Sequence, residues 1–280
     1  MPLRRRPAPR QDQPQLNVGL SERLPTPFCV ARPLGNSWRA ETYRGAVLTS
    51  VTTYGTVARA LSRAGEGLSY GSAGSLFTFD SAGTNWSRTS WCFAGSFMTT
   101  ATGANQTIVS INGDLSGLQL RINTSQQIDL LAEANALLST SSLTVSANAI
   151  YYYSVCSSAL LGTTEVWLNG QRWITYAGTI DNKDPATAMR FYLGRRLTSA
   201  SEMFTGSMFG PHAFWALAAG LIPTPQQQQW MTSAPGLRAA LFRQRTRPQR
   251  IAAAAAGITG PLIGRGRLLN SPLIGGRLVQ

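Results

Sequence analysis

The stretch Val166-Trp167-Leu168-Asn169-Gly170-Gln171-Arg172-Trp173-Ile174 contains the clearest structural signal in this chain. Apolar runs flank the central pair Asn169-Gly170 on both sides. A type I′ turn requires positive φ at both central residues, and Asn followed by Gly tolerates this well. The stretch therefore predicts two antiparallel strands joined by a two-residue turn.

Runs of the same kind continue on both sides of this hairpin. From residue 46 onward, short runs of Val, Ile, Thr, Tyr, Phe and Trp recur at roughly ten-residue spacing, separated by Gly, Asn, Ser and Asp. The predicted strands are Ala46–Tyr54, Leu76–Phe79, Trp91–Thr99, Gln106–Asn112, Gly117–Asn123, Gln127–Leu131, Ala149–Ser157, Thr163–Asn169, Gln171–Tyr176, Met189–Gly194 and Phe204–Ala216. No helical stretch separates them. They predict an all-β fold, an antiparallel sandwich of two packed sheets.

The excess positive charge lies at the two ends of the chain. Residues 1–44 contain eight Arg and three acids, and residues 238–280 contain eight Arg and no acid. In residues 45–237 the nine basic residues are balanced by nine acids. Charge held in flanking segments usually meets a partner. We therefore predict an extended Arg/Pro-rich arm at residues 1–45, the sandwich at 46–232, and a basic, aliphatic docking arm at 233–280.

A short repeat characterises the C-terminal arm. The segments Gly260–Leu269 and Ser271–Val279 share a Pro-Leu-Ile-Gly core followed by Gly-Arg-Leu, with a period of eleven residues. Apolar doublets of this kind suit an extended peptide that pairs with another sheet edge; the alternative is a flexible tail with chance self-similarity. The residues assigned to docking and assembly are Arg4, Arg5, Arg6, Arg243, Arg245, Arg247, Arg250, Pro261, Leu262, Ile263, Arg267, Pro272, Leu273, Ile274 and Arg277.

Three motifs after the hairpin carry a family resemblance. They are Phe191-Tyr192-Leu193-Gly194-Arg195, Phe204-Thr205-Gly206-Ser207-Met208-Phe209-Gly210 and His212-Ala213-Phe214-Trp215-Ala216. With the hairpin, they resemble the laminin-G-like branch of the concanavalin-A-like lectin/glucanase sandwich. The resemblance covers about two thirds of the chain, residues 46–232. It implies a jelly-roll sandwich with a short closing helix at residues 223–230.

The segment Leu237–Arg250 and the peptides after it resemble the ends of structural proteins of tailed bacteriophage particles. This resemblance implies a non-enzymatic virion protein, such as a head decoration, fibre, or tail or collar component, assembled in the bacterial host cytoplasm. Its partners would be other virion proteins, bound through both arms, and further copies of itself. Two alternatives stay open. One is a coat protein whose basic arms contact nucleic acid, which is disfavoured because Phe242 is the single aromatic residue next to the Arg clusters. The other is a carbohydrate-binding adhesion module that grips a host glycan.

The sequence offers little material for catalysis. His212 is the single histidine and no Ser or Cys nucleophile elbow accompanies it, so we expect this ring to be a hydrogen-bonded partner at a strand start. Glycosidases of this sandwich class need clustered carboxylates. In this chain the carboxylates are scattered, at Glu165, Asp181, Asp184 and Glu202. We predict that the protein is not an enzyme.

Ligand-binding residues are few and their signals are weak. Oxygens of the type that Ca²⁺ binds occur in predicted loops at Asp80, Asp114, Asp129, Asp181, Asn182 and Asp184. Lys183 interrupts the densest group, so we expect no cofactor and keep Asp181 and Asp184 as weak calcium candidates. Trp86, beside Asn85 and turn residues, is the best candidate to stack on a sugar ring; a half-buried turn anchor is the alternative.

Cysteine usage and hydropathy complete the expectations. Cys92 and Cys156 lie in predicted strands and are expected to be small buried thiols, since three cysteines are too few for a disulfide scaffold. Residues 1–15 contain no apolar stretch that would form an export signal. The longest apolar run, Ile251–Ile263, is short and interrupted by Gly and Pro. We expect a soluble protein without a membrane partner.

Overall fold

The computed structural model describes residues 24–43, 47–80, 90–111, 117–132, 136–180, 189–196, 202–216 and 222–233. The predicted docking residues of both arms lie outside these ranges. The glycan candidates Asn85 and Trp86 and the calcium candidates Asp181 and Asp184 lie outside them as well. Predictions that rest on those residues therefore stay predictions.

Antiparallel strands make up almost all of the described chain. They are β1 (Cys29–Leu34), β2 (Ser37–Thr42), β3 (Val47–Tyr54), β4 (Val57–Ser62), β5 (Gly65–Asp80), β6 (Trp91–Thr99), β7 (Gln106–Ile111), β8 (Leu118–Ile122), β9 (Gln127–Ala132), β10 (Ala136–Thr144), β11 (Tyr151–Ser158), β12 (Thr163–Leu168), β13 (Gln171–Tyr176), β14 (Met189–Leu193) and β15 (Phe204–Trp215). One helix, α1 (Pro225–Thr232), follows them within the described ranges. It has the position that the family resemblance implied. No helix in these ranges is long and apolar enough to cross a membrane.

The strands form two sheets that share β5. In sheet 1 the order is β4, the first half of β5, β15, β6, β11, β12 and β13, and β1 pairs with the second half of β15 and with β2. In sheet 2 the order is β10, β9, β8, β7, β14, the second half of β5 and β3. This arrangement confirms the predicted all-β antiparallel sandwich.

The predicted hairpin is present with the expected turn. Asn169 and Gly170 have φ of +48° and +78°, and the closing pair is Leu168 with Gln171. The Asn169 side-chain oxygen also accepts a hydrogen bond of 2.8 Å from the Tyr152 backbone N–H. The turn is therefore fixed to the neighbouring strand β11 as well as to its own hairpin.

Aromatic rings fill the space between the sheets. Phe77 of β5 stacks on Phe191 of β14 at a centroid distance of 4.4 Å, and both side chains are buried. Phe93 of β6 reaches across to Phe191 at 5.6 Å. Burying a side chain of this size stabilises the fold by about 2 to 3 kcal/mol. The core therefore depends on both sheets contributing rings to the same cluster.

The predicted boundary at residue 45 is wrong for the N-terminal side of the sandwich. Residues 29–42 form a hairpin whose first strand pairs with β15, with Val30 opposite Ala213. Trp38 of this hairpin is buried in the main core. The mixed composition of the segment, with Pro33 and Arg side chains, hid it from the strand pattern. Residues 24–43 therefore belong to the sandwich and not to the arm.

A second apolar cluster covers the outer surface of sheet 1. It joins Trp215 and Met231 to Cys92 and Cys156, which are cross-strand partners in β6 and β11. The expectation of two free thiols is corrected, because these cysteines form a disulfide. The Trp215 indole N–H donates a 2.8 Å hydrogen bond to the Pro25 carbonyl. The helix and the segment that begins at residue 24 thus seal this surface.

His212 lies deep between the sheets and not at the start of a strand. Its Nδ1 is 3.3 Å from the Tyr153 hydroxyl, and its buried Nε2 has no hydrogen-bond partner. The ring makes edge contact with Trp38 at 5.2 Å and lies 6.0 Å from Phe93. Burial lowers the pKa of His212 to about 3. The expectation of a hydrogen-bonded histidine therefore holds for Nδ1 and is wrong for Nε2.

Stability should fall in acid because of this histidine. Between pH 6.5 and about pH 3 the unfolded chain binds a proton at His212 that the folded chain rejects, so each pH unit downward costs about 1.4 kcal/mol. His212→Leu removes the titration at similar volume. Denaturant unfolding of both proteins at pH 6.5 and 4.5 should give a smaller pH dependence for the variant. Equal pH dependence would contradict the buried neutral ring, and the carboxylates shared by both proteins cancel in the comparison.

Candidate functional site

The outer surfaces of the two sheets differ in what covers them. On sheet 1, α1 lies over β11 and β12, where Gln228 contacts Ser154 and Thr232 contacts the Gly170 backbone. On sheet 2, the described residues lay no helix or strand across the outer surface. We call this outer surface of sheet 2 the polar face. Its accessible part lies at β3 and the end of β14, where Thr52 is exposed and Tyr54 and Arg195 are half-buried, whereas Ser110, Gln119 and Tyr192 are buried.

Strand register defines the polar face. Five cross-strand partners from β3, β5, β14, β7 and β8 form one row: Thr52, Leu76, Tyr192, Ser110 and Gln119. Directly opposed residues in antiparallel strands point to the same side. The adjacent row contains Phe77, Phe191 and Ile111, which are buried in the core. The row through Tyr192 therefore faces outward.

Arg121 organises one end of the polar face. Its guanidinium binds Asp129 at 2.8 Å and Glu202 at 3.0 Å. The other Glu202 oxygen accepts a 2.6 Å hydrogen bond from the Gln119 side chain. Asp129 also accepts hydrogen bonds from Asn123 at 2.9 Å and from Thr140 at 2.8 Å. We call this group the Arg121 network; it sets one guanidinium against two carboxylates.

The other end of the polar face has fewer internal partners. The Arg195 guanidinium carbon lies 4.0 Å from the centroid of the Tyr54 ring, and Arg195 Nε donates a 3.2 Å hydrogen bond to the Arg196 carbonyl. Its two terminal nitrogens make no hydrogen bond or ion pair with the described residues. The Tyr192 hydroxyl is buried without a hydrogen-bond partner. Burial raises the pKa of Tyr192, and the nearby charges of Arg190 and Arg195 act in the opposite direction.

The carboxylates singled out from the sequence do not meet in one site. Glu165 lies on sheet 1, where it accepts hydrogen bonds of 3.0 Å from the Trp167 indole and from Arg172. Glu202 lies on the polar face within the Arg121 network. Asp129, expected in a loop as a calcium ligand, is instead part of β9 and bound to Arg121. The described residues contain no group of three His, Cys, Asp or Glu side chains that could hold a metal.

Sequence reasoning missed the polar face itself. Tyr54 and Arg195 are far apart in the chain and meet because β3 and β14 flank the same half of β5. The alternation Arg190-Phe191-Tyr192-Leu193 was the available signal, since it marks Arg190 and Tyr192 as outward-facing. No pattern in the sequence indicated which strands would lie beside them.

Comparisons with known proteins support the fold alone. No protein-family model matches this sequence, and no curated protein sequence matches it. Domain 4 of AbnA, an extracellular arabinanase from Geobacillus stearothermophilus, solved with arabinotriose, has a TM-score of 0.51 and 14% identity over 66% of this chain and 89% of its own. The binding domain of botulinum neurotoxin DC, solved with rat synaptotagmin II, has a TM-score of 0.52 and 10% identity, over 72% of this chain and 50% of its own.

Removing the buried carboxylate of the Arg121 network should destabilise the fold. Glu202→Ala leaves Arg121 and Gln119 in largely buried positions with one partner fewer, which should cost about 3 kcal/mol. The matched control is Glu66→Ala, whose exposed ion pair with Arg59 should contribute less than about 1 kcal/mol. Denaturant unfolding measures both free energies. Equal losses in the two variants would contradict a structural role for the network.

Proposed function

We propose that this chain is a carbohydrate-binding β-sandwich that acts by binding and not by catalysis, with the polar face as its glycan-contact surface. The observation that carries the proposal is the difference between the two outer surfaces. Helix α1 and the second apolar cluster seal sheet 1, whereas the outer side of sheet 2 is polar and exposes Thr52 and parts of Tyr54 and Arg195.

The chemistry of the polar face suits a sugar. Tyrosine combines an apolar ring, which can lie against the C–H groups of a sugar, with a hydroxyl that forms hydrogen bonds. Tyr54 supplies such a ring, which is half-buried on β3, and Thr52 adds an exposed hydroxyl on the same strand. These groups are on strands, so the fold fixes their spacing. A rigid array of alternating polar and aromatic groups favours recognition of a polyhydroxylated ligand.

The carboxylates of the polar face support binding over hydrolysis. A glycosidase needs one protonated and one ionised carboxyl group on either side of the scissile bond. Asp129 and Glu202 both accept hydrogen bonds from the single guanidinium of Arg121, so both carboxylates are occupied within the Arg121 network. Neither group is placed to act as a general acid. This pairing supports a non-enzymatic role.

The fold relationship agrees with this proposal by analogy. Domain 4 of AbnA, which was solved with arabinotriose, shares the sandwich with this chain. A shared fold allows the same class of ligand but does not specify it, because function depends on the individual site. The proposal for this chain therefore depends on its own polar face.

Tyr54 provides the direct test. Tyr54→Ala removes a ring from the polar face and should raise the Kd for a bound oligosaccharide about fivefold or more. The matched control is Tyr152→Ala, a half-buried tyrosine on β11 of sheet 1, which should leave the Kd unchanged. A glycan array identifies the ligand and titration calorimetry gives the Kd. A blank array, or equal effects of both substitutions, would contradict the proposal.

We also propose that the chain is a structural component of a virus particle, in which the arms anchor the sandwich to neighbouring subunits. The supporting observation is the charge distribution, since the excess of basic residues lies toward the two ends while residues 45–237 are balanced. The guanidinium groups of the arginines can bind acidic surfaces of a partner, and the aliphatic doublets can fill apolar pockets on it. The sandwich would then be the displayed, glycan-binding part.

Deleting residues 238–280 tests the anchoring role. When the chain is coexpressed with the other particle proteins, the full-length protein should sediment with particles and the truncated protein should stay in the supernatant. Unchanged incorporation would contradict the proposal. A gel shift with a steep dependence on salt would instead favour the coat-protein alternative, in which the same arginines contact phosphates.

A further inference from the structure

We propose that the Arg195 end of the polar face recognises the carboxylate of an acidic sugar. This inference rests on the proposed glycan-binding function and specifies its ligand class. The residues that carry it are Arg195, Tyr54 and Tyr192, which we call the Arg195 corner.

Arg195 is held in place with its hydrogen-bonding edge unused. The Tyr54 ring supports one face of the guanidinium at 4.0 Å, and Nε donates to the Arg196 carbonyl at 3.2 Å. The two terminal nitrogens have no partner among the described residues. A guanidinium edge matches the two oxygens of a carboxylate in a bidentate pair. Because stacking already orders the side chain, binding would require little further loss of conformational freedom.

The charges of the polar face are unevenly distributed. The charged residues whose side chains are described on this surface are Arg121, Arg190, Arg195 and Arg196 against Asp129 and Glu202. Both carboxylates bind Arg121, and Arg196 lies 4.0 Å from Glu202. The anionic groups therefore concentrate in the Arg121 network. The excess positive charge lies at the opposite end, around β14 and Arg195, where an anionic ligand would be attracted.

Tyr192 adds a buried polar group to the same part of the surface. Its hydroxyl is buried on the same surface and makes no hydrogen bond of full geometry, and Arg190 is near enough to lower its pKa both by charge and by a side-chain hydrogen-bond contact. Buried polar groups without partners are rare in folded proteins and often mark functional positions. Burial raises the pKa of Tyr192, which keeps its proton in place as a hydrogen-bond donor.

The geometry favours an acidic sugar over a phosphate polymer. A nucleic acid requires a series of cations spaced along its backbone. Here the Arg121 network places Asp129 and Glu202 on the same surface, and their charges would repel an extended polyanion. A single carboxylate on an otherwise neutral ring can use the Arg195 corner and leave the Arg121 network undisturbed.

The test uses pairs of oligosaccharides that differ by one acidic group, such as sialyllactose with lactose, or glucuronic acid with glucose at the same position. Binding of the full-length chain is measured by titration calorimetry. We expect the acidic member of a pair to bind more tightly than the neutral one. Arg195→Gln should weaken binding of the acidic member about tenfold or more and that of the neutral member much less, so that the preference for the acidic member is lost. Arg195→Lys keeps the charge but lacks the planar fork, so it should restore only part of the affinity.

The control is Arg63→Gln, an exposed arginine in the β4–β5 turn of sheet 1, which changes the net charge equally and should leave binding unchanged. Thermal melting of all variants confirms folding. Equal binding of acidic and neutral members, unaffected by Arg195→Gln, would overturn the inference while the glycan-binding function stands. Absence of all glycan binding would overturn both, and preference for inorganic phosphate or a nucleic acid through Arg195 would overturn the acidic-sugar assignment.

Discussion

Strand β5 belongs to both sheets, and this sharing is the constraint on which the rest of the sandwich depends. Its first half pairs with β4 and β15, and its second half pairs with β3 and β14. The first half must lie very close to β15, because a Cβ at Gly67 would clash with the Met208 carbonyl and with Phe209. Glycine is therefore required at residue 67 for the two strands to approach. The orientation of each sheet relative to the other follows from this one strand.

The polar face inherits its arrangement from the second half of β5. Because β3 and β14 flank the same segment, Tyr54 and Arg195 approach each other although they are distant in sequence. A Cβ at Gly74 would clash with the Arg195 Cβ. The glycine thus leaves the space in which the Arg195 side chain crosses toward Tyr54. The backbone therefore determines where the residues of the Arg195 corner lie, and their side chains supply the charged and aromatic groups.

Local patterns predicted most of the strands but few of the contacts between them. The turn at Asn169-Gly170 and the alternation in β8 indicated both the strands and the fold class. The first half of β5 was missed because its residues are small, and Gly67 there reflects close packing and not strand propensity. The candidate site was less predictable, since Glu202 reaches Arg121 from the segment before β15, which no sequence spacing indicates. Residues on different strands form a site only when the strands pair in the right register, and that register depends on the whole sheet.

The disulfide was missed for the same reason, because Cys92 and Cys156 become neighbours only when β6 pairs with β11. That pairing places the two cysteines side by side whether or not their sulfur atoms are joined. Both are buried with Trp215 and Met231, which restricts access of a reductant or oxidant. Cytosolic proteins keep their thiols reduced, whereas oxidising compartments join them. The pairing of β6 with β11 therefore does not require the disulfide. The disulfide adds a cross-link between two strands that α1 already covers.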